Sequence, residues 1–217
     1  MSTVTTVGDV DGDRAQTTPV AVSPAGGLRT LIAVGRPTAL VVLITALIGF
    51  IASATLTIEK IRILTDPGYT PSCSLNPIIS CGSVMKTWQA AIFGFPNPLI
   101  GIAAFAVVIV TGVLALTGVS LPRWYWLGQA LATTAGFALI NFLFYSSVYR
   151  IHALCPYCMA VWAITPIILI LSVNRTLPDT TRAAEVRGWL WVLLPLWYAI
   201  VLVAIGVQFW DYWSTLI

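Results

Sequence analysis

The sequence predicts an all-α membrane protein, and two observations lead to that fold class. Hydrophobic residues make up 58% of the 217 residues and charged residues only 9%, whereas a soluble domain usually carries about 25% charged residues. Five apolar stretches are each long enough to cross a hydrocarbon core of about 30 Å as a helix. Unpaired backbone groups are not tolerated in lipid, so these stretches are expected to be helical. The net charge of +3 gives no support for nucleic-acid binding.

The predicted spans follow a polar N-terminal segment. Residues 1–34 are expected to form a disordered cytoplasmic tail, because the segment is largely small and polar and lacks periodicity. The apolar run begins only near residue 38 and is too long for a cleavable signal peptide. Residues 35–217 are expected to form one transmembrane domain. Its spans are predicted at about 38–58, 99–116, 124–148, 153–173 and 188–209.

The basic residues of the loops predict the orientation, because cytoplasmic loops are enriched in Lys and Arg. An inside N-terminus places seven arginines on the inner side: Arg14, Arg29, Arg36, Arg123, Arg175, Arg182 and Arg187. It places four basic residues on the outer side: Lys60, Arg62, Lys86 and Arg150. This difference favours a cytoplasmic N-terminus and an outer C-terminus.

Four cysteines form two clusters, Cys73 with Cys81 and Cys155 with Cys158. The first pair lies in the long connection after the first span, and the chain crosses the membrane twice before reaching the second pair. Two crossings return the chain to the same side, so both pairs are expected on one face whatever the orientation. The charge pattern makes that face the outer one, where disulfides persist. Four unrelated buried thiols are the alternative.

The connection that carries Cys81 shows a helical pattern. From Val84, apolar residues recur at Trp88, Ala91, Ile92 and Phe95. This pattern predicts an amphipathic half-helix on the membrane surface that covers the bundle. A partly buried surface loop without a special role is the alternative.

The second pair is a CxxC motif at the start of a predicted helix. The positive end of a helix dipole stabilises a thiolate at Cys155, and Pro156 in the first turn costs no hydrogen bond. Arg150 and His152 are candidates for additional positive charge, although His152 also fits an interfacial residue that binds water.

Three kinds of site contain such cysteines. A soluble glutaredoxin-like site is excluded because no βαβ pattern surrounds the motif. A four-cysteine zinc site requires four converging thiolates, which the C-x₇-C spacing and the membrane edge disfavour, so no metal is expected. A relay remains, in which one pair exchanges electrons with an outside partner and the other with an acceptor in the bilayer. Thiol–disulfide exchange moves two electrons, as many as a quinone accepts.

The segment CSLNPIISCGSVMKTWQAAIFGFPNPLIGIAAF, followed by CPYC, resembles the vitamin K epoxide reductase family, especially its bacterial homologues. The similarity covers roughly residues 35–175. Its specific elements are C-x₇-C with Ser80 before the second cysteine, then F-G-x-P-N, then a distant CxxC that opens a span. The resemblance implies a bundle of four transmembrane helices around a quinone, either menaquinone or ubiquinone, with a fifth helix in bacterial members. It also implies a bacterial plasma-membrane location.

The resemblance also implies roles for individual residues. Cys155 and Cys158 would be the active-site pair, with Cys158 next to the quinone ring. Cys155 would exchange with Cys81 through a transient disulfide, and Cys73 would meet the redox centre of the partner. Asn97 falls where the family places a hydrogen-bond donor to a quinone carbonyl, although a helix cap before Pro98 is an equal alternative.

Two departures from the family pattern are visible. Four residues after Cys158, animal members have a tyrosine that contacts the quinone, and this chain has Trp162. An indole N–H donates but cannot accept, which puts vitamin K epoxide chemistry in doubt. Many bacterial members also carry a fused thioredoxin-like domain. None follows the fifth span here, so the partner is expected to be a separate, DsbA-like protein with a thioredoxin fold.

The sequence therefore predicts a membrane thiol:quinone oxidoreductase that reoxidises an extracytoplasmic disulfide-forming protein. A DsbB-like protein would have the same function by convergence, but its helix-opening cysteine pair comes first along the chain. A transporter or structural membrane protein with two static disulfides is the alternative of another class. This alternative is disfavoured because the predicted spans lack the charged residues that would mark a transport pathway.

Overall fold

The computed structural model describes residue 27, residues 30–66 and residues 68–214. Most of these residues are helical, and five helices are long and apolar enough to cross a membrane. They are α1 (Arg36–Thr65), α3 (Pro98–Leu116), α4 (Arg123–Ser146), α5 (Pro156–Thr176) and α6 (Thr181–Gln208). Two short helices are α2 (Cys81–Met85) and α7 (Trp210–Trp213). The prediction of an all-α membrane protein with five spans is confirmed.

Local sequence explains where the long helices begin. Proline occupies one of the first two positions of α1, α3 and α5, where its missing N–H has no helical partner to lose. Helix α6 has Thr180 as its N-cap instead, and the Thr180 hydroxyl accepts a hydrogen bond from the amide of Ala183 at 3.3 Å. Helix α1 ends at Thr65, about two turns beyond the predicted end of the first span.

The four helices α1, α3, α4 and α5 form a bundle with one open side. Helix α1 packs against α3 and α5, and α4 packs against α5. Glycine permits a close approach of α3 to α1, since a Cβ on Gly112 would lie 3.0 Å from the Leu43 backbone. Among the described residues, α3 and α4 pack less extensively, and Thr111 of α3 joins them through hydrogen bonds with Tyr125 and Gln129 of α4. Residues of both helices line the cavity described below.

Helix α6 packs on the outside of this bundle. The Trp197 indole donates a hydrogen bond to the Asn141 side chain at 3.0 Å, and the Tyr198 hydroxyl donates to the carbonyl of Ala163. Ile205 and Phe209 belong to the apolar cluster that surrounds Trp162. The fifth helix therefore supports α5 from behind the CxxC motif.

A short ribbon joins the N-terminal segment to the turn between α3 and α4. Strand β1 (Leu31–Ile32) pairs antiparallel with β2 (Leu121–Pro122). Most of the predicted disordered tail, residues 1–34, lies outside the described residues. Within its described end, Leu31 and Ile32 form β1, and backbone pairing with the turn satisfies their polar groups.

The segment predicted as one amphipathic half-helix is divided into two pieces. Helix α2 ends at Met85, and a separate 3₁₀ turn covers Trp88–Ala91. Thr87 between them has an extended backbone (ψ 156°), which interrupts the helical hydrogen bonds. The connection nevertheless covers one end of the bundle, since residues of both pieces line the cavity described below.

Candidate redox site

A short backbone bridge brings the two cysteine clusters together. Ile79 pairs with Leu154 as an isolated parallel β-bridge. The amide of Ser80 donates to the Leu154 carbonyl at 3.0 Å, and the Leu154 amide donates to the Ile78 carbonyl at 2.7 Å. Cys81 and Cys155 are the next residues on the two segments, so the bridge sets them side by side.

The four cysteines meet at this point. Cys73 and Cys81 form a disulfide, while Cys155 and Cys158 are free thiols. The Cys81 Sγ lies 3.2 Å from the Cys155 Sγ. Cys81 and Cys155 are almost completely buried, and Cys73 is 6% exposed. The structure thus brings together all four cysteines that the sequence singled out.

The CxxC motif begins α5 after an unusual turn. A π-helical turn, Ser147–Ile151, follows α4, and His152 then adopts a left-handed conformation with φ of 57°. The Ser147 hydroxyl donates a hydrogen bond to the Ala153 carbonyl, which stabilises this turn. Cys155 is the N-cap of α5. His152 is exposed.

The position of Cys155 favours its thiolate. A hydrogen bond from the Cys158 thiol lowers the pKa of Cys155 below its usual value, and the backbone N–H groups of Tyr157 and Cys158 add to this effect. Burial of the thiol acts in the opposite direction but is outweighed. These donors belong to the first turn of a helix, where N–H groups lack helical partners. Cys155 is therefore the activated thiol of the pair.

The extension of α1 anchors the segment that carries Cys73. Glu59 is only 4% exposed, and its carboxylate accepts hydrogen bonds from the Tyr69 hydroxyl at 2.8 Å and the Ser72 hydroxyl at 2.7 Å. On the other side of the site, Lys60 Nζ donates to the Met85 carbonyl at 2.6 Å. Consecutive residues of α1 therefore hold the segment before Cys73 and the helix that begins at Cys81.

A cavity of about 470 Å³ extends from Cys155 and Cys158 into the bundle and is open on one side. Pockets for small ligands commonly measure about 300–1,000 Å³ and are mostly apolar, with a few polar groups. Residues of α1, α3, α4 and α5 and of the connection that carries Cys81 line it. Gly128 and Gly136 of α4 are lining residues at which an added Cβ would meet no atom within 4 Å.

Asn97 lies at the end of this cavity nearest the cysteines, at the N-cap position of α3. Its side chain makes no capping bond. The carbonyl oxygen accepts from the Ile92 amide at 3.1 Å, and the Nδ2 group donates to the Gln89 carbonyl at 2.7 Å. A side-chain amide has two N–H groups, so one remains for a ligand.

Trp162 also lines the cavity and is 4% exposed. It lies one helical turn below Cys158, and its ring meets Phe144 edge to face, with centroids 5.2 Å apart. Ile205 of α6 and Phe209, the residue between α6 and α7, complete its apolar surroundings. The indole therefore forms a fixed wall of the cavity beneath the thiols.

Comparison with known protein families matches residues 40–173, well over half of the chain, to the vitamin K epoxide reductase family. The chain belongs to the vitamin K epoxide reductase family. No curated protein matches the chain significantly. Membership in the vitamin K epoxide reductase family indicates a membrane thiol–disulfide oxidoreductase, in agreement with the disulfide and the two free thiols. Among the described residues, no three Cys, His, Asp or Glu side chains are placed to hold a metal ion.

Three parts of this site were not predicted from the sequence. In the sequence, Lys60 indicated only the orientation of the chain, as one of the basic residues of the loops. Glu59 indicated only where the first apolar run ends. The bridge between Ile79 and Leu154 had no signal, because backbone pairing of two residues leaves no pattern in side-chain type.

Proposed function

We propose that this protein is a thiol:quinone oxidoreductase, in which electrons pass from an outside dithiol through Cys73–Cys81 and then Cys155–Cys158 to a membrane quinone. The contact of 3.2 Å between the Cys81 and Cys155 sulfurs carries this proposal. A disulfide is about 2.05 Å long, so a new bond needs an approach of only about 1.1 Å. Exchange between the pairs therefore requires little movement of the backbone.

The internal exchange balances within the protein. A partner thiolate attacks Cys73, the Cys73–Cys81 bond breaks, and Cys81 leaves as a thiolate. Cys81 then attacks Cys155 of an oxidised Cys155–Cys158 pair, which forms Cys81–Cys155 and releases the Cys158 thiolate. The second partner thiolate completes the partner's disulfide and releases Cys73, which re-forms Cys73–Cys81 and leaves Cys155 and Cys158 reduced. The net change is two electrons and two protons moved from partner to Cys155–Cys158.

The cavity residues fit a quinone as the acceptor. When bound, a quinone supplies a two-electron, two-proton acceptor within the lipid. The apolar cavity beside Cys158 accommodates an aromatic head group and excludes water, and Asn97 has an N–H left to orient a carbonyl oxygen. Trp162 fixes the wall below the thiol. Menaquinone and ubiquinone both contain carbonyl groups that can accept a hydrogen bond from Asn97.

We further place the cysteines on the outer face of a bacterial plasma membrane with the N-terminus in the cytoplasm, as the loop charges favour. The partner is then an extracytoplasmic, DsbA-like protein with a thioredoxin fold. Cys73, the more exposed cysteine of its disulfide, receives that partner.

A protein with two static disulfides is the competing function. It requires Cys155 and Cys158 to be bonded to each other permanently. It also gives no reason for a buried contact between Cys81 and a third cysteine.

Trapping of intermediates tests the relay. In cells that carry Cys158→Ala, thiols are blocked by alkylation and the disulfides are mapped by mass spectrometry without reduction. The relay predicts a Cys81–Cys155 disulfide in this variant, and its loss in the matched Cys155→Ala variant. Depletion of quinone should leave the wild-type Cys155 and Cys158 reduced. Recovery of Cys73–Cys81 as the only bridge in every variant, with continued oxidation of the partner, contradicts the proposal.

A further inference from the structure

Lys60 differs from every other described residue that lines the cavity, because it is the one charged side chain among them. The remaining lining residues are apolar or carry neutral polar groups. A charge at such a place is costly unless it is paired, hydrogen-bonded or used. The cavity thus has a single fixed positive charge at the end where Cys155 and Cys158 lie.

The neighbours of Lys60 orient its ammonium group without neutralising it. One N–H donates to the Met85 carbonyl at 2.6 Å, and a lysine ammonium has three N–H groups. The preceding carboxylate, Glu59, is engaged by Tyr69 and Ser72. The one ion pair in the described ranges is Arg187–Asp179, in the region after α5. Two N–H groups of Lys60 are therefore left for a ligand in the cavity.

Three separate elements place complementary groups at this end of the cavity. Lys60 comes from the end of α1, Asn97 from the start of α3, and the thiols from the start of α5. Both Lys60 and Asn97 are held by carbonyl oxygens of the connection that carries Cys81, those of Met85 and Gln89. Two donors and a dithiol thus surround one apolar space.

We propose that Lys60 donates a hydrogen bond to a carbonyl oxygen of the bound quinone and stabilises the negative charge that develops there during reduction. This inference rests on the proposed function. In the reaction, Cys155 and Cys158 lose two electrons and two protons and form a disulfide, and the two quinone oxygens gain those protons. Lys60 remains an ammonium group throughout. A fixed charge in a site of low dielectric acts most strongly where charge appears in the transition state.

A purely structural role for Lys60 makes different predictions. If its only task were to hold Met85, its loss would loosen α2 and slow the exchange between Cys81 and Cys155. Binding of quinone by the oxidised protein would then be unchanged. The two half-reactions and the binding of quinone must therefore be measured separately.

The experiment compares Lys60→Met, Lys60→Arg and the control Arg62→Met in the full-length protein in detergent. Arg62 contributes the same charge two residues further along α1, but it is exposed and contacts the Tyr69 hydroxyl at 3.2 Å. The probe is a benzoquinone with a short isoprenoid chain. Its affinity for the oxidised protein is measured by equilibrium binding, and its single-turnover reduction by the pre-reduced protein is followed by absorbance.

For Lys60→Met, we expect quinone binding about 10-fold weaker and single-turnover reduction about 100-fold slower at saturating quinone. Lys60→Arg should recover most of both losses, and Arg62→Met should change neither. Unchanged binding and reduction in Lys60→Met overturn this inference alone. Equal losses in Arg62→Met and Lys60→Met also overturn it, since they indicate a general charge effect. A wild-type protein whose thiols fail to reduce the quinone overturns the proposed function itself.

Discussion

The amide of Ser80 donates to the carbonyl of Leu154 at 3.0 Å, and this bond fixes the register of the two segments that carry the redox cysteines. The following residues, Cys81 and Cys155, have their sulfurs 3.2 Å apart. A backbone bond between segments is independent of side-chain type, so the juxtaposition does not depend on any charged or polar contact at the cysteines. With the proposed function, the fold places the two pairs in position for exchange.

Replacement of Ser80 by proline tests this register. Proline has no N–H, and its φ near −65° is incompatible with the Ser80 value of −141°. In the Cys158→Ala background, we expect the fraction of Cys81–Cys155 disulfide to fall several-fold, as measured by mass spectrometry. Ser80→Ala is the control: it keeps the backbone bond and removes the side-chain contacts with the Ser83 amide at 3.3 Å and the Ser83 hydroxyl at 2.9 Å, at a cost of about 1 kcal/mol. Equal trapping in the two variants would argue against the bridge.

The lowered pKa of Cys155 gives a pH dependence. Since a hydrogen bond from Cys158 lowers this pKa, the Cys155 thiolate is present above a midpoint that lies below the ordinary value of about 8.5, and it is lost as the pH falls through that midpoint. In a variant without Cys73 and Cys81, the ultraviolet absorbance of the thiolate should show this midpoint. Cys158→Ala removes the donor and should raise it. An unchanged midpoint in Cys158→Ala would assign the shift to the helix start alone.

Glu59 should contribute to stability through its two partly buried hydrogen bonds. In Glu59→Gln, the amide cannot accept at both positions, so either Tyr69 or Ser72 loses its acceptor. We expect the free energy of unfolding to fall by about 1–3 kcal/mol, measured by thermal unfolding in detergent. Glu185 of α6 is exposed, and Glu185→Gln should change stability by less than about 0.5 kcal/mol. Equal stability of the two variants would contradict an anchoring role for Glu59.

The cavity itself is testable by filling it. Gly136→Leu places a side chain at a lining position where an added Cβ meets no atom within 4 Å, so it should weaken quinone binding at least about 10-fold without loss of stability. Gly206 of α6 has equal space for a Cβ but does not line the cavity. Gly206→Leu should therefore bind quinone as the wild type does. Equal binding by both variants would place the quinone elsewhere.

The fold was largely predictable because hydrophobic length reports a transmembrane helix directly. Counting the spans between Cys81 and Cys155 also predicted that the cysteines share one face, and the structure brings their sulfurs into contact. The division of the half-helix was not predictable, because the extended backbone at Thr87 depends on how the connection covers the bundle. The position of Lys60 in the cavity was not predictable from the sequence for a related reason. A basic residue at the end of a span has the same sequence signal whether it faces water or a cavity.

The open side of the cavity has a consequence for how the two substrates reach the protein. With the proposed function, the partner arrives through water in three dimensions, and the quinone arrives through the open side of the cavity by diffusion within the two dimensions of the lipid. The supply of quinone is then set by the number of quinone molecules per area of membrane. The supply of partner is set by its concentration in the aqueous compartment. Turnover should therefore saturate independently with the surface density of quinone in the membrane and with the concentration of the partner in the aqueous compartment.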